Sequence, residues 1–255
     1  MDLFQLLQPG AFVVFLLVAL RTAGAMAVGP LAVFPGTPLP VRIFLGLGIA
    51  LAIAPNVPTV APPAAMQLDP IAMVRELALG LLLGLASNLL FAALQIAAGL
   101  IDFQGGFTFG ATLDPLSLTQ TGPIEHFLQA FAMVLFLDLN GHQVFILTLG
   151  QVYQVAPVGA PLQLASMTNA TTLVSAVFLA AIAMALPIVT VLLLVDVTLA
   201  VFSRVAPQFN LFAVGFTVRV AAALLALVVL LPILATQLGQ LFVEIPRLMP
   251  ALVQQ

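Results

Sequence analysis

Arg204-Val-Ala-Pro-Gln-Phe-Asn-Leu-Phe-Ala-Val-Gly-Phe216 lies between two long apolar runs, residues 173–202 and 211–235. A cation, a proline and two amides fall within seven residues, and the chain is then apolar again. Pro207 has no backbone N–H and pushes Ala206 away from the α region, so a helix must end or kink there. The carbonyls freed by the break need donors, which Arg204, Gln208 and Asn210 can supply. The stretch therefore reads as a break between two long apolar helices, and the rest of the chain follows the same plan.

Composition sets the class. Of 255 residues, 63% are hydrophobic and 6% charged, with a mean hydropathy of +1.25; soluble domains carry about 25% charged residues. Most of the surface must therefore be buried in lipid or in other protein. All six cations are arginine, and nine carboxylates bring the formal charge to −3, which argues against nucleic acid as a partner. Without cysteine, disulfides, thiolate catalysis and cysteine-held metals are excluded. The N-terminal residues lack the basic stretch of a cleaved signal, so the first apolar segment is expected to be retained.

Six apolar segments are expected, at 11–33, 43–54, 71–101, 127–149, 173–202 and 211–235. Against the roughly 20 residues that span a bilayer, the second is short and the third and fifth are long. Proline-rich breaks flank the second segment and stop its helix from running on. No internal repeat or soluble domain is visible, so a single all-α domain over 1–255 is expected. Arginines are too few and too scattered for the positive-inside rule to orient it.

Misplaced polar groups mark candidate sites. Arg21, Asp138, Asp196 and Arg219 fall inside or near the middle of apolar runs, where each would cost roughly 2.5–3.5 kcal/mol if it faced lipid. They are expected at helix or subunit interfaces, as structural ion pairs or a proton relay. His142, in Asn140-Gly-His142, reads as a helix-end or interface donor. Gly80-Leu-Leu-Leu-Gly84 fits close helix packing. Residues 102–123 hold four glycines, two prolines and three phenylalanines, a long irregular loop of the kind that is functional or disordered.

These motifs together resemble the FliR family, the export-gate component of flagellar type III secretion, and its virulence-injectisome relatives. The 204–216 stretch resembles the family's R-x-x-P-Q-x-N-x-F signature. Arg21-Thr-Ala-Gly24 with Gly29-Pro30, Glu76 to Gly84, Gln104-Gly-Gly106 with Phe109 and Asp114-Pro115, Leu135 to His142, and Ala185-Leu-Pro187 follow in family order. Thr217 stands where flagellar members usually have proline, and Arg219 lies near a lysine of injectisome members, so both branches stay open.

The resemblance implies a subunit that assembles with FliP-type and FliQ-type proteins into a helical export gate at the flagellar basal body, in the bacterial inner membrane. Its tilted helical hairpins would be enclosed by those partners and lipid, with FlhB- and FlhA-type proteins alongside, and unfolded flagellar subunits would pass through. Gly105, Gly106, Phe107, Phe109, Gly110, Asp114 and Pro115 would belong to the plug that narrows the pore. Arg204, Pro207, Gln208, Asn210, Phe212 and Gly215 would shape a helix bend and subunit contacts. A solute transporter or channel is the alternative from a different class, though it would normally show internal repeats. No catalytic, metal-binding or cofactor-binding residue is predicted: HExxH and GxSxG are missing and there are two histidines, His126 and His142.

Overall fold

The computed structural model describes residues 9–30, 37–60, 69–108, 122–160, 167–206, 211–244, 246–247 and 250. Among the described residues seven α-helices follow one another: α1 (Pro9–Val28), α2 (Leu39–Ile53), α3 (Pro70–Gly105), α4 (Pro123–Asp138), α5 (Gly141–Val155), α6 (Met167–Val205) and α7 (Leu211–Val243). No strand occurs among them; one parallel bridge joins Thr59 to Val158. Five helices are long and apolar enough to cross a membrane, or six spans if the bent pair α4–α5 counts as one. The all-α, membrane-type expectation is met.

Helix ends follow local chemistry. Proline at the start of α2 costs nothing, since the first helical N–H groups have no partner in any case. Val41 N–H closes the first turn on Pro38 O. α3 ends in a Schellman turn: Phe107 N–H donates to Asp102 O and Gly106 N–H to Phe103 O, with Gly106 at φ +82°, a conformation glycine adopts without strain. The helix therefore runs three residues past Asp102, where the sequence reading began the loop.

The apolar segment expected over 127–149 is two helices, which corrects that expectation. They meet at 67°. Asn140 takes the left-handed conformation, φ 55°, which asparagine tolerates better than other residues with a Cβ. Gly141 follows because any Cβ there would strike the Phe136 ring. Hydropathy does not register such a break, because it counts apolar side chains and not the backbone conformation of one Asn-Gly pair.

The helices gather into two compact units. The first is drawn from Met1–Phe91, Phe136–Val174 and Leu241–Gln255. Its centre is the contact of α1 with α3, built on glycine. A Cβ on Gly80 would fall on the Arg21 carbonyl, and one on Gly84 on the Ala25 carbonyl. Successive turns of the two helices thus touch backbone to backbone, the close approach that small residues permit. On another side of α1, a Cβ at Gly46 would press on Ala23 Cα of α1 at 2.7 Å, and Thr22 Oγ1 donates to Gly46 O at 3.0 Å. Val14, Leu17, Val18, Ala50, Tyr153 and Val158 close the core. Phe91, Phe136 and Phe242 form a second knot, with ring centroids 5.2–5.4 Å apart.

The second unit is drawn from Ala92–Leu135 and Ser175–Gln240. Small residues again line its core: Ala93, Ala97, Ala98, Ala181, Ala185 and Ala223 are buried. The outer faces of α6 and α7 are apolar and exposed, with Leu179, Leu194, Val201, Leu225, Val228 and Val229 all more than half accessible. Hydroxyls on these helices satisfy themselves on their own backbone: Thr190 on Leu186 O, Thr198 on Leu194 O, Thr236 on Pro232 O. Such faces suit a non-aqueous neighbour, since they offer water few polar groups to bind.

The glycine contacts generate a prediction. Gly80→Ala and Gly84→Ala should each destabilise the purified protein by about 1–3 kcal/mol, because backbone must move to admit the methyl group. Gly48→Ala and Gly99→Ala, whose new Cβ atoms meet nothing within 4 Å, should be neutral or stabilising by up to about 1 kcal/mol. Thermal unfolding of the four variants in one detergent checks the contrast.

Candidate functional site

In the first unit the close approach of α1 and α3 brings Arg21 onto Glu76, one turn before Gly80. Arg21 Nε donates to Glu76 Oε2 at 2.6 Å, with the side chains 1% and 2% exposed. Arg21 Nη1 donates to Ala156 O at 2.8 Å, and the guanidinium lies 4.3 Å from the centre of the Tyr153 ring, an attractive cation–π placement. The other carboxylate oxygen of Glu76 accepts the Gly159 N–H at 3.0 Å, delivered from a residue at φ +83°. One ion pair thus joins α1, α3 and the turn after α5. Arg21 Nη2 has no hydrogen-bond partner among the described residues.

In the second unit a polar network surrounds the end of α3. Arg219 of α7 holds Asp196 of α6 through two nitrogens, Nε at 2.7 Å and Nη2 at 2.6 Å, to Oδ1. Gln104 Nε2 donates to the other oxygen at 2.9 Å. These side chains are about a third exposed, so solvent screens the pair and breaking it costs less than breaking a fully buried one. Three residues from the end of α3, the Asp102 carboxylate is buried and receives the N–H groups of Ile124 at 3.1 Å and Glu125 at 2.8 Å. Those are the first free donors of α4, whose N-cap position is Gly122: its carbonyl accepts the His126 N–H, and Pro123 follows at the first helical position.

Of the residues singled out from sequence, Arg21, Asp196 and Arg219 thus sit in ion pairs. Asp138 is exposed in the last turn of α4, two residues before the break at Asn140. His142 is in the first turn of α5, with a buried Nδ1 that has no partner among the described residues. Arg204 is exposed in the last turn of α6, where a cation complements the helix dipole; Gly215 is buried, and a Cβ there would lie 3.6 Å from Leu199. Gly105 closes α3, and Gly106 faces Phe216 and the Arg219 stem. Phe109, Gly110, Asp114, Pro115, Pro207, Gln208 and Asn210 lie outside the described residues, as does the Phe212 side chain.

Glu76, Tyr153, Asp102 and Gln104 were not picked out as site residues. For Glu76 a signal existed: it is the one carboxylate inside the segment 71–101, and a buried arginine requires a counter-charge. Among the described residues no group of three His, Asp or Glu side chains is placed to hold a metal ion.

Removing one member of the buried pair should cost about 3–5 kcal/mol, because the other is left charged in a closed core. Arg21→Met and Glu76→Leu are each expected to fall in that range, and the double change of the two to recover most of the loss. Denaturant unfolding of the three variants measures the coupling; additive losses would contradict it.

The family model described as bacterial export proteins, family 1, matches residues 12–245. The flagellar biosynthetic protein FliR of Escherichia coli (strain K12) is 28% identical over 92% of this chain and 91% of its own length. FliR of Pectobacterium carotovorum subsp. carotovorum is 31% identical over 84% of this chain and 83% of its own. The surface presentation of antigens protein SpaR of Salmonella typhimurium (strain LT2) is 32% identical over 69% and 67%. With nearly its whole length matched, and with the long apolar helices described above, the chain belongs to the bacterial export proteins, family 1.

Proposed function

We propose that this chain is a subunit of the flagellar type III protein export gate, acting as one domain over residues 1–255. It assembles in the bacterial inner membrane, at the basal body, with FliP-type and FliQ-type subunits. Unfolded flagellar proteins pass through the channel they enclose, and FlhB- and FlhA-type proteins act beside it. The observation that carries the reading is the family match over 12–245, with flagellar relatives aligned over 84–92% of the chain.

Helix length supports it. At 36, 39 and 33 residues, α3, α6 and α7 extend for about 54, 58 and 50 Å. A hydrocarbon core is only about 30 Å thick. Helices this long, with exposed apolar sides, fit a protein shell of similar helices better than a lipid bilayer alone. The connection that follows Gly105, with Gly106, Phe107, Phe109, Gly110, Asp114 and Pro115, is the plug of this reading. The 204–216 stretch is its helix break and subunit contact. The reading assigns the chain no catalytic step, metal or cofactor.

The SpaR relatives favour a second reading, an injectisome export-gate subunit, although they align over a smaller share of the chain. Co-expression with FliP-type and FliQ-type partners of either system, followed by native mass spectrometry, tests both. A defined hetero-oligomer holding one copy of this chain is expected with the flagellar set. Assembly with the injectisome set alone would select the second reading, and recovery as a lone monomer or homodimer beside folded partners would reject both.

A further inference from the structure

The second unit carries its charges at one end. Every charged residue described in it, Asp102, Glu125, Asp196, Arg204 and Arg219, lies near the end of α3, at the start of α4, in the last third of α6 or in the first third of α7. Hydrogen bonds knit four of these five into one belt. The Asp102 carboxylate receives the Ile124 and Glu125 N–H groups, Gln104 donates to Asp196 at 2.9 Å, and Arg219 closes on Asp196 at 2.6 Å. Asp102 and Gln104 sit within one turn of α3, so the belt joins all four helices at one level. Arg204 stands beyond it, exposed in the last turn of α6.

On one side of the belt the two long helices of this unit are free of charge. Residues 175–195 of α6 and 220–240 of α7 contain no Asp, Glu, Lys, Arg or His. Each run extends for about 32 Å, enough to fill a hydrocarbon core of about 30 Å without bringing a charge into it. On the other side α6 ends about 14 Å beyond Asp196, and α7 begins about 12 Å before Arg219, too little to fill such a core. At the belt the Arg219 and Asp196 side chains are 36% and 27% exposed. A partly open ion pair is costly against lipid. Nε and Nη2 of Arg219 both point at one oxygen of Asp196, which leaves others of the five guanidinium N–H donors for water.

We propose that the belt is a hydrated surface. The apolar surroundings of the second unit end at the level of Gln104, Asp196 and Arg219, and water meets the open side of the ion pair. This goes beyond the export-gate reading, and it holds whichever neighbour, lipid or protein, covers the charge-free body. It also assigns the unit an aqueous end, which the count of arginines does not: the ends of α3 and α6 and the starts of α4 and α7 belong to it together.

The chain contains no cysteine, so a single introduced thiol reports without background. Phe103→Cys lies next to Gln104, Ala200→Cys one turn after Asp196, and Phe216→Cys one turn before Arg219. Leu186→Cys and Val229→Cys lie ten residues into the body from Asp196 and Arg219, a distance of about 15 Å. All five parent side chains are exposed in the chain, so its own packing does not separate the two groups. The full-length variants, in native membranes opened so that both faces are accessible, are treated with a sulfonated, lipid-insoluble maleimide. Rates are normalised to those in denaturing detergent.

Thiols beside the belt should react at least about tenfold faster than those in the body, because a charged reagent enters apolar surroundings poorly. Equal protection in both groups would overturn the proposal, since the belt is then covered. Equal reaction in both would overturn it too, since the body is then wet and no boundary exists at the belt. A nitroxide at Ala200 and at Val229 supplies a second reading should a cysteine variant fail to accumulate. Collision with a water-soluble nickel chelate is expected at Ala200 and with dissolved oxygen at Val229; one profile at both positions would contradict the hydrated belt.

Discussion

The contact of α1 with α3 governs the first unit, and it depends on two missing side chains. Gly80 and Gly84 let the helices meet at their backbones, and only at that separation can Glu76 reach Arg21 with a 2.6 Å bond. In a chain with 6% charged residues, a fully buried ion pair is a specific commitment. A slipped register would leave both charges unpaired in an apolar core, a worse state than any hydrophobic mismatch. The pair also takes the carbonyl of Ala156 and the amide of Gly159, so it fixes the turn after α5 as well as the two helices. Its worth is specificity of packing, more than net stability.

The second unit is organised differently. Its core is lined with alanine, its Asp196–Arg219 pair is about a third exposed, and the apolar faces of α6 and α7 stay uncovered. Long helices that neither bury their outer faces nor match a bilayer in length are incomplete alone. On the proposed reading these faces would be covered by the partner subunits of the export gate. The Asp196–Arg219 pair sits where a modest electrostatic contribution is enough, tethering the end of α3 while the surrounding surface remains available.

Much of this was legible in the sequence, because apolar runs set helix existence and a charge within one must find a partner. Arg21, Asp196 and Arg219 stood out for that reason. Proline at 207 agreed with a helix that ends at Val205. Two features escaped, for physical reasons. The break at Asn140 depends on one left-handed residue and on a glycine pressed by Phe136, and neither changes the hydropathy of the segment. The capping of α4 by Asp102 is a tertiary contact, and Asp102 before a glycine pair reads as the first residue of a loop until the two helices are brought together.

The central claim is that the exposed apolar faces are covered by partner proteins in the assembled gate. Site-specific photo-crosslinking in cells tests it most directly, with the photoreactive residue at Leu194 of α6 and at Val228 of α7, 62% and 71% exposed. Crosslinks to FliP-type or FliQ-type subunits at both positions are the predicted result. Crosslinks to lipid alone, with the same partners present and the gate assembled, would contradict the account.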